Sequence, residues 1–154
     1  MSDQPSITPD DMDALVRRMD EAAGAFIRGD IDHYVSLFDH PDDYTLMGPT
    51  GGDVVRGFDS SEERLAQFRS FFASGEARLE VAQTYTSGNL AVLVAVERQH
   101  GEVGSSPDQD WSLRVTLVLR RVGDRWHLVH RHADALVHEI PWSHLAELAR
   151  GLEA

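Results

Sequence analysis

Trp126-His-Leu-Val-His-Arg-His-Ala-Asp134 alternates along its length with the period of two that marks a β-strand. Side chains two residues apart on an extended strand share a face and repeat at roughly 6–7 Å. His130, His132 and Asp134 therefore fall on one side. Half of the chain's eight histidines lie between residues 127 and 138, which makes this strand the first place to look for a site. Just upstream, Gly123-Asp124 is a turn signal, and Trp111 to Val122 is a second alternating run.

If Gly123-Asp124 forms a two-residue hairpin, Val122 stands opposite Arg125, Leu117 opposite His130, Val115 opposite His132 and Leu113 opposite Asp134. One face of the pair is then Trp111, Leu113, Val115, Leu117 and Leu119 with Trp126, Leu128, His130, His132 and Asp134. Its apolar character marks it as the buried face. The other carries Ser112, Arg114, Thr116, Val118 and Arg120 with His127, Val129, Arg131 and Ala133. The expectation is that the two histidines and the aspartate point inward at the end of the sheet away from the turn. Burying unpaired polar groups costs roughly 1–3 kcal/mol each, so such a cluster is either a hydrogen-bonded structural network or a place where a ligand is met.

Two further strands precede this hairpin, Leu79 to Thr86 and Leu90 to His100, joined by Ser87-Gly-Asn89. The polar segment 101–110 reads as a longer loop, a candidate rim or lid. The first 75 residues are mostly helical. Thr8-Pro9-Asp10-Asp11 has the cap, first-position proline and acids of a helix start, and Met12, Leu15, Val16, Met19, Ala22, Ala23, Phe26 and Ile27 form one apolar face before Gly29. Asp30 caps a second helix through Phe38, and Ser60-Ser-Glu-Glu63 opens a third that Gly75 closes. Between them lie short strand candidates at Tyr44 to Met47 and Val54 to Phe58, and a last helix spans about 142–150. Helices first and a long meander afterwards is an α+β layout. The sheet is expected to curl around the N-terminal helices as a cone-shaped half-barrel, within one domain covering residues 1–154.

Composition narrows the function. The chain has 154 residues, no cysteine and no lysine, since all 14 basic residues are arginine. Disulfides, thiolate chemistry, Schiff bases and a P-loop lysine are excluded. Net charge is −12, and residues 1–63 carry 15 acids against four arginines. Such a surface repels a phosphate backbone, so nucleic acid is not an expected partner. No run approaches the roughly 18 apolar residues of a membrane span, and Met1 to Pro5 lacks the basic and apolar regions of a signal peptide. A cytoplasmic protein without membrane partners is expected.

Three stretches carry a resemblance: Gly29-Asp-Ile-Asp32 with Val35-Ser-Leu-Phe38, Met47-Gly-Pro49 leading into Arg56-Gly57, and Arg121-Val-Gly-Asp-Arg-Trp-His-Leu-Val-His-Arg-His132. With the element order, they resemble the nuclear transport factor 2-like superfamily, which includes SnoaL-like cyclases, ketosteroid isomerases, scytalone dehydratase and the kinase association domain. The resemblance covers about residues 9–138. It implies the cone fold; it does not imply one reaction, because the fold hosts enzymes and non-catalytic modules alike. The ketosteroid isomerase base would fall on Gly48 and its oxyanion tyrosine near Ala22, so that isomerisation is not implied.

The expected site is therefore catalytic His130, His132 and Asp134, the imidazoles titrating near neutral pH and the carboxylate orienting one of them. Tyr44, Trp111, Phe58, Phe72 and Tyr34 are candidates for a substrate-binding lining, joined by Glu97 and His100 at the end of their strand. Glu97 is ambiguous by one register step: it either reaches toward His132 or pairs with Arg114 on the outer face, the latter slightly favoured. His-x-His with Asp134 or Glu97 also has the donors of a metal set, but neither a metal nor another cofactor is expected. The leading expectation is a lyase, isomerase or cyclase acting on a small carbonyl-containing molecule. The alternative is a ligand-binding or assembly module. A homodimer is expected through the outer sheet face, where Val118 and Val129 sit among Arg114, Thr116, Arg120 and Arg131.

Overall fold

In the computed structural model, which describes residues 5–151, helix α1 (Pro9–Ile27) starts where its cap signals place it. Thr8 Oγ1 accepts from the Asp11 amide at 3.1 Å and Asp11 Oδ2 accepts from the Thr8 amide at 2.9 Å, a reciprocal capping box. Residues 1–4 of the start read for a signal peptide lie outside the described residues. Helix α2 (Ile31–Leu37) is capped by Asp30, and α3 (Glu62–Phe71) by Ser61. Between these lie the short strands β1 (Thr45–Met47) and β2 (Val55–Arg56).

Strand β3 (Phe72–Ser87) follows α3 directly, starting seven residues before the sequence reading placed it. The reason is Gly75. It pairs with Gly101 of β4 (Leu90–Val103), and Ile27 of α1 packs down on both. A Cβ at Gly75 would stand 2.7 Å from Ile27 Cγ1, and one at Gly101 would stand 2.4 Å from the Ser74 carbonyl oxygen. These glycines give close backbone approach, not a helix stop. The expected loop 101–110 is correspondingly shorter, because β4 runs to Val103 and β5 (Gln109–Asp110) pairs back on it.

Strands β6 (Leu113–Val122) and β7 (Arg125–Asp134) complete a seven-stranded sheet in the order β2-β1-β7-β6-β4-β3, with β5 added on β4. All pairings are antiparallel except β1 with β7. The curved sheet is not closed, and its inner face shares one core with α1, to which the helix gives Met12, Leu15, Met19 and Ala22 and the sheet gives Leu79, Ala91, Leu93 and Leu117. This is the cone-shaped α+β half-barrel expected. Helix α4 (Trp142–Arg150) follows as anticipated and has no buried residue.

One deviation matters for function. The β6–β7 hairpin keeps the expected register from Val122↔Arg125 to Leu119↔Leu128, then skips Val129 and resumes at Val118↔His130. This is a β-bulge, in which two residues of one strand face one of its neighbour. It falls where the edge partner of β7 changes. Before it, Asp39 bridges to β7, its amide donating to the Trp126 carbonyl at 2.9 Å and its carbonyl accepting from the Leu128 amide at 2.8 Å. After it, β1 takes over with Thr45 beside His130.

Candidate active site

A bulge inverts every later side chain. Trp126 and Leu128 are buried as expected, but beyond Val129 it is Arg131 and Ala133 that turn in with the core, while His130, His132 and Asp134 lie on the outer face. The inward orientation expected of these three is thus corrected. His130 Nδ1 is 2.8 Å from Thr45 Oγ1, tying β7 to β1. His132 is exposed. Asp134 takes two hydrogen bonds from Arg114, at 2.9 and 3.0 Å, and one from the Leu136 amide at 2.9 Å. The bonds from Arg114, opposed by burial and aided by the Leu136 amide, hold its carboxyl below the ordinary carboxylate range. It orients neither imidazole.

Inside, Arg131 reaches across β6 to β4 and meets Glu97. Nη1 donates to Oε1 at 2.6 Å and Nη2 to Oε2 at 2.8 Å, and Glu97 is only 5% exposed. Neither carboxylate partner weighed for Glu97, His132 or Arg114, is the one it has. Burial acts to discharge Arg131, but the charge and hydrogen bonds of Glu97 outweigh it and the guanidinium stays protonated. Tyr34 of α2 and Tyr44, just before β1, share this electrostatic neighbourhood and are both buried. Burial pushes each phenol above its ordinary range, with Tyr44 reinforcing the effect at Tyr34, so both remain hydroxyl donors.

Aromatic rings surround these groups. Phe26 packs on Tyr34 at 5.1 Å between ring centroids and on Phe72 at 4.7 Å, and Phe68 lies 5.4 Å from Phe26. Phe58 stacks on His40 at 3.8 Å. Of the expected lining, Tyr34, Tyr44, Phe58, Phe72 and Glu97 belong to this interior. Trp111 is half-buried, its Nε1 donating to the Gly101 carbonyl at 3.0 Å. His100 is exposed and pairs with Asp108 at 2.9 Å and Glu76 at 3.5 Å. A separate surface groove of about 310 Å³ lies between the start of α1 and the end of β3, lined by Ile7, Pro9, Met12, Asp13 and Thr84 among others, away from the charged pair. Among the described residues no cluster of three or more His, Asp or Glu side chains suits a metal ion, and no helix is long and apolar enough to cross a membrane.

Sequence reasoning missed Arg131 and His40. A signal for the first was present: Ala133 is apolar on the parity of Arg131, and an inward Glu97 needs an inward cation. His40 read only as a helix stop beside Pro41, with nothing local to mark its ring as part of the interior.

An open antiparallel sheet curled around N-terminal helices is the cone fold of the nuclear transport factor 2-like domains. Residues 16–137 match the SnoaL-like domain, and the chain belongs to that family. Among solved structures it is similar to a candidate dehydratase of the NTF2-like family from Streptomyces avermitilis, at 23% identity over 85% of this chain and 100% of that one, with a TM-score of 0.65. A candidate scytalone dehydratase from Novosphingobium aromaticivorans superposes with a TM-score of 0.67 at 14% identity, covering 86% and 90% of the two chains. The association domain of the C. elegans calcium/calmodulin-dependent protein kinase II gives 0.63 at 15% identity, over 81% and 95%. At these identities the likeness is one of fold. No curated protein matches the chain.

Proposed function

We propose that the protein is a single-domain enzyme of the lyase, isomerase or cyclase class that binds a small carbonyl-containing molecule inside the cone. The observation that carries this reading is the buried Glu97–Arg131 pair with buried Tyr34 and Tyr44 in its electrostatic neighbourhood. Two permanently protonated phenols are donors suited to a carbonyl oxygen, and they strengthen as that oxygen gains charge on loss of a neighbouring proton. Arg131 supplies a fixed positive charge close by. Glu97, bound through both oxygens, fixes that guanidinium and is not free to take a proton. The histidines expected to do so lie outside, so Tyr34, Tyr44 and Arg131 supply stabilisation of the developing oxyanion while the proton leaves to water.

The test is deuterium uptake next to the carbonyl of a panel of small cyclic and hydroxylated ketones, followed by NMR in D2O. Exchange above buffer that falls at least about 100-fold in Tyr34→Phe, with the fold intact, is expected for a lost oxyanion donor. No exchange above buffer with any member of the panel refutes the reading.

A second reading, self-assembly, has its own observation. The outer sheet face exposes Tyr85, Leu90 and Val94 beside Val92, Val96 and Val118, an apolar strip suited to a second copy of the chain. His130 and His132 border it; Arg131, once expected there, does not. Sedimentation of wild type against Val94→Glu tests it: a homodimer that dissociates in the variant is expected, and a monomeric wild type refutes it.

A further inference from the structure

His40 follows the Asp39 bridge and turns its ring among the interior aromatics. Phe58 covers one face, with 9° between the planes, Tyr44 meets the ring edge to face at 4.8 Å, and Phe38 lies at 5.2 Å. Its Nε2 is buried and has no hydrogen-bond partner among the described residues. Leaving a buried polar atom unpaired costs about 1–3 kcal/mol, and a valine or leucine would fill this position without that cost. The segment leading to Phe58 is exposed from Pro49 to Arg56, so this side of the imidazole is one side chain away from solvent.

We propose that His40 Nε2 is a hydrogen-bonding subsite of the interior, taking the hydroxyl or carbonyl oxygen of a small, uncharged ring compound. The inference rests on the small-molecule reading above and names the class of ligand. These neighbours already pack on the imidazole, so a ligand ring enters where the half-buried Phe58 gives way and meets the same π faces. A hydroxyl can donate to Nε2 or accept from it, so it satisfies the atom in either tautomer; a carbonyl satisfies it where Nε2 carries the proton. Burial keeps the imidazole neutral, lowering its pKa to about 4 against the opposing pull of Asp39. A neutral donor or acceptor gives an anion no charge to pair with. Arg131 is already matched by Glu97, and the chain's net charge of −12 repels carboxylates.

The experiment compares three probes, naphthalene, 2-naphthol and 2-naphthoate, by their own fluorescence on the full chain. Wild type is expected to bind 2-naphthol at least about fivefold more tightly than naphthalene, the worth of one hydrogen bond to an unpaired buried atom, and 2-naphthoate more weakly than 2-naphthol. His40→Phe, which keeps a ring against Phe58, is expected to lose the preference for 2-naphthol while retaining naphthalene. Ring-nitrogen NMR of wild type guards against a misfolded variant: the Nε2 resonance moves on adding 2-naphthol and stays still with naphthalene. Equal binding of the two in wild type, an unchanged preference in His40→Phe, or an unmoved Nε2 overturns the subsite and leaves the interior binding reading standing. If none of the three probes binds, both fall.

Discussion

Replacing Glu97 by leucine should cost the protein 3–5 kcal/mol, while replacing Glu97 and Arg131 together should cost far less than the two single changes combined. The two hydrogen bonds at 2.6 and 2.8 Å bring the charge centres to about 4 Å, where opposite unit charges attract by about 4 kcal/mol at an effective dielectric of 20. The Glu97 side chain is 7% exposed and that of Arg131 20%, so neither survivor can turn to water without disturbing Val115, which lies between them on β6. Removing one partner of such a pair is reported to cost about 3–5 kcal/mol, because the other is left charged and buried. Removing both in favour of leucine and methionine restores an apolar interior of similar volume, which is often neutral. Urea unfolding of wild type, Glu97→Leu, Arg131→Met and the double variant measures the coupling. A cycle that closes additively within about 0.5 kcal/mol, or single variants that lose under about 1 kcal/mol, refutes a desolvated pair and with it the electrostatics assigned to the interior.

Three further outcomes follow from the same geometry. His40 has a pKa of about 4 in the fold and an ordinary value of 6.5 when unfolded, so between those values the unfolded chain binds the extra proton. Its contribution is fully present above pH 6.5 and lost as pH falls toward 4, by about 3 kcal/mol at most; His40→Phe should flatten that slope in urea unfolding, and an unchanged slope contradicts the burial. Deleting Val129 would straighten β7 while keeping Val118 opposite His130 and Leu117 opposite Arg131, so Arg131 still faces Glu97 and the pair survives; a deletion variant in which Glu97→Leu no longer costs at least about 3 kcal/mol would show that the bulge itself holds the pair. Asp134→Asn, which weakens the outer pair with Arg114 and leaves an oxygen for the Leu136 amide, should change stability by less than about 1 kcal/mol, and a larger loss on thermal unfolding would restore a central role for that carboxylate.

The helices were legible because their signals are local. Thr8, Asp30 and Gly29 act within one turn of the residues they cap or release, and Gly29, at φ 77°, adopts the left-handed conformation that ends α1. The strand order of the last hairpin was legible for the same reason, through Gly123-Asp124. The bulge was not, because nothing at Val129 itself demands it. It coincides with the change of edge partner from Asp39 to Thr45, residues more than 80 positions earlier in the chain. The site inherited that blind spot. Tyr34, Tyr44, Phe58, Phe72 and Glu97 were named from their own elements and belong to the interior, whereas the histidines and Asp134 were assigned to the wrong face by one residue of register. Trp111 and His100 ended elsewhere because each found a partner of its own.

The parallel contact of β1 with β7 also sets when the site comes into being. Thr45 and His130 are 85 residues apart, whereas β3–β4 and β6–β7 are joined by tight turns and β4–β6 by residues 104–112, all local in sequence. Joining distant segments must first meet a loop-closure entropy that neighbouring hairpins largely escape. The meander can therefore zip together while the edge of β7 is still bare, with Arg131 and Glu97 already facing one another on an open sheet. Tyr44 and His40 arrive only when residues 39–47 dock along that edge. On this ordering the interior is enclosed by the last step of folding, and a chain interrupted before β7 would hold the helices and half the sheet but no site at all.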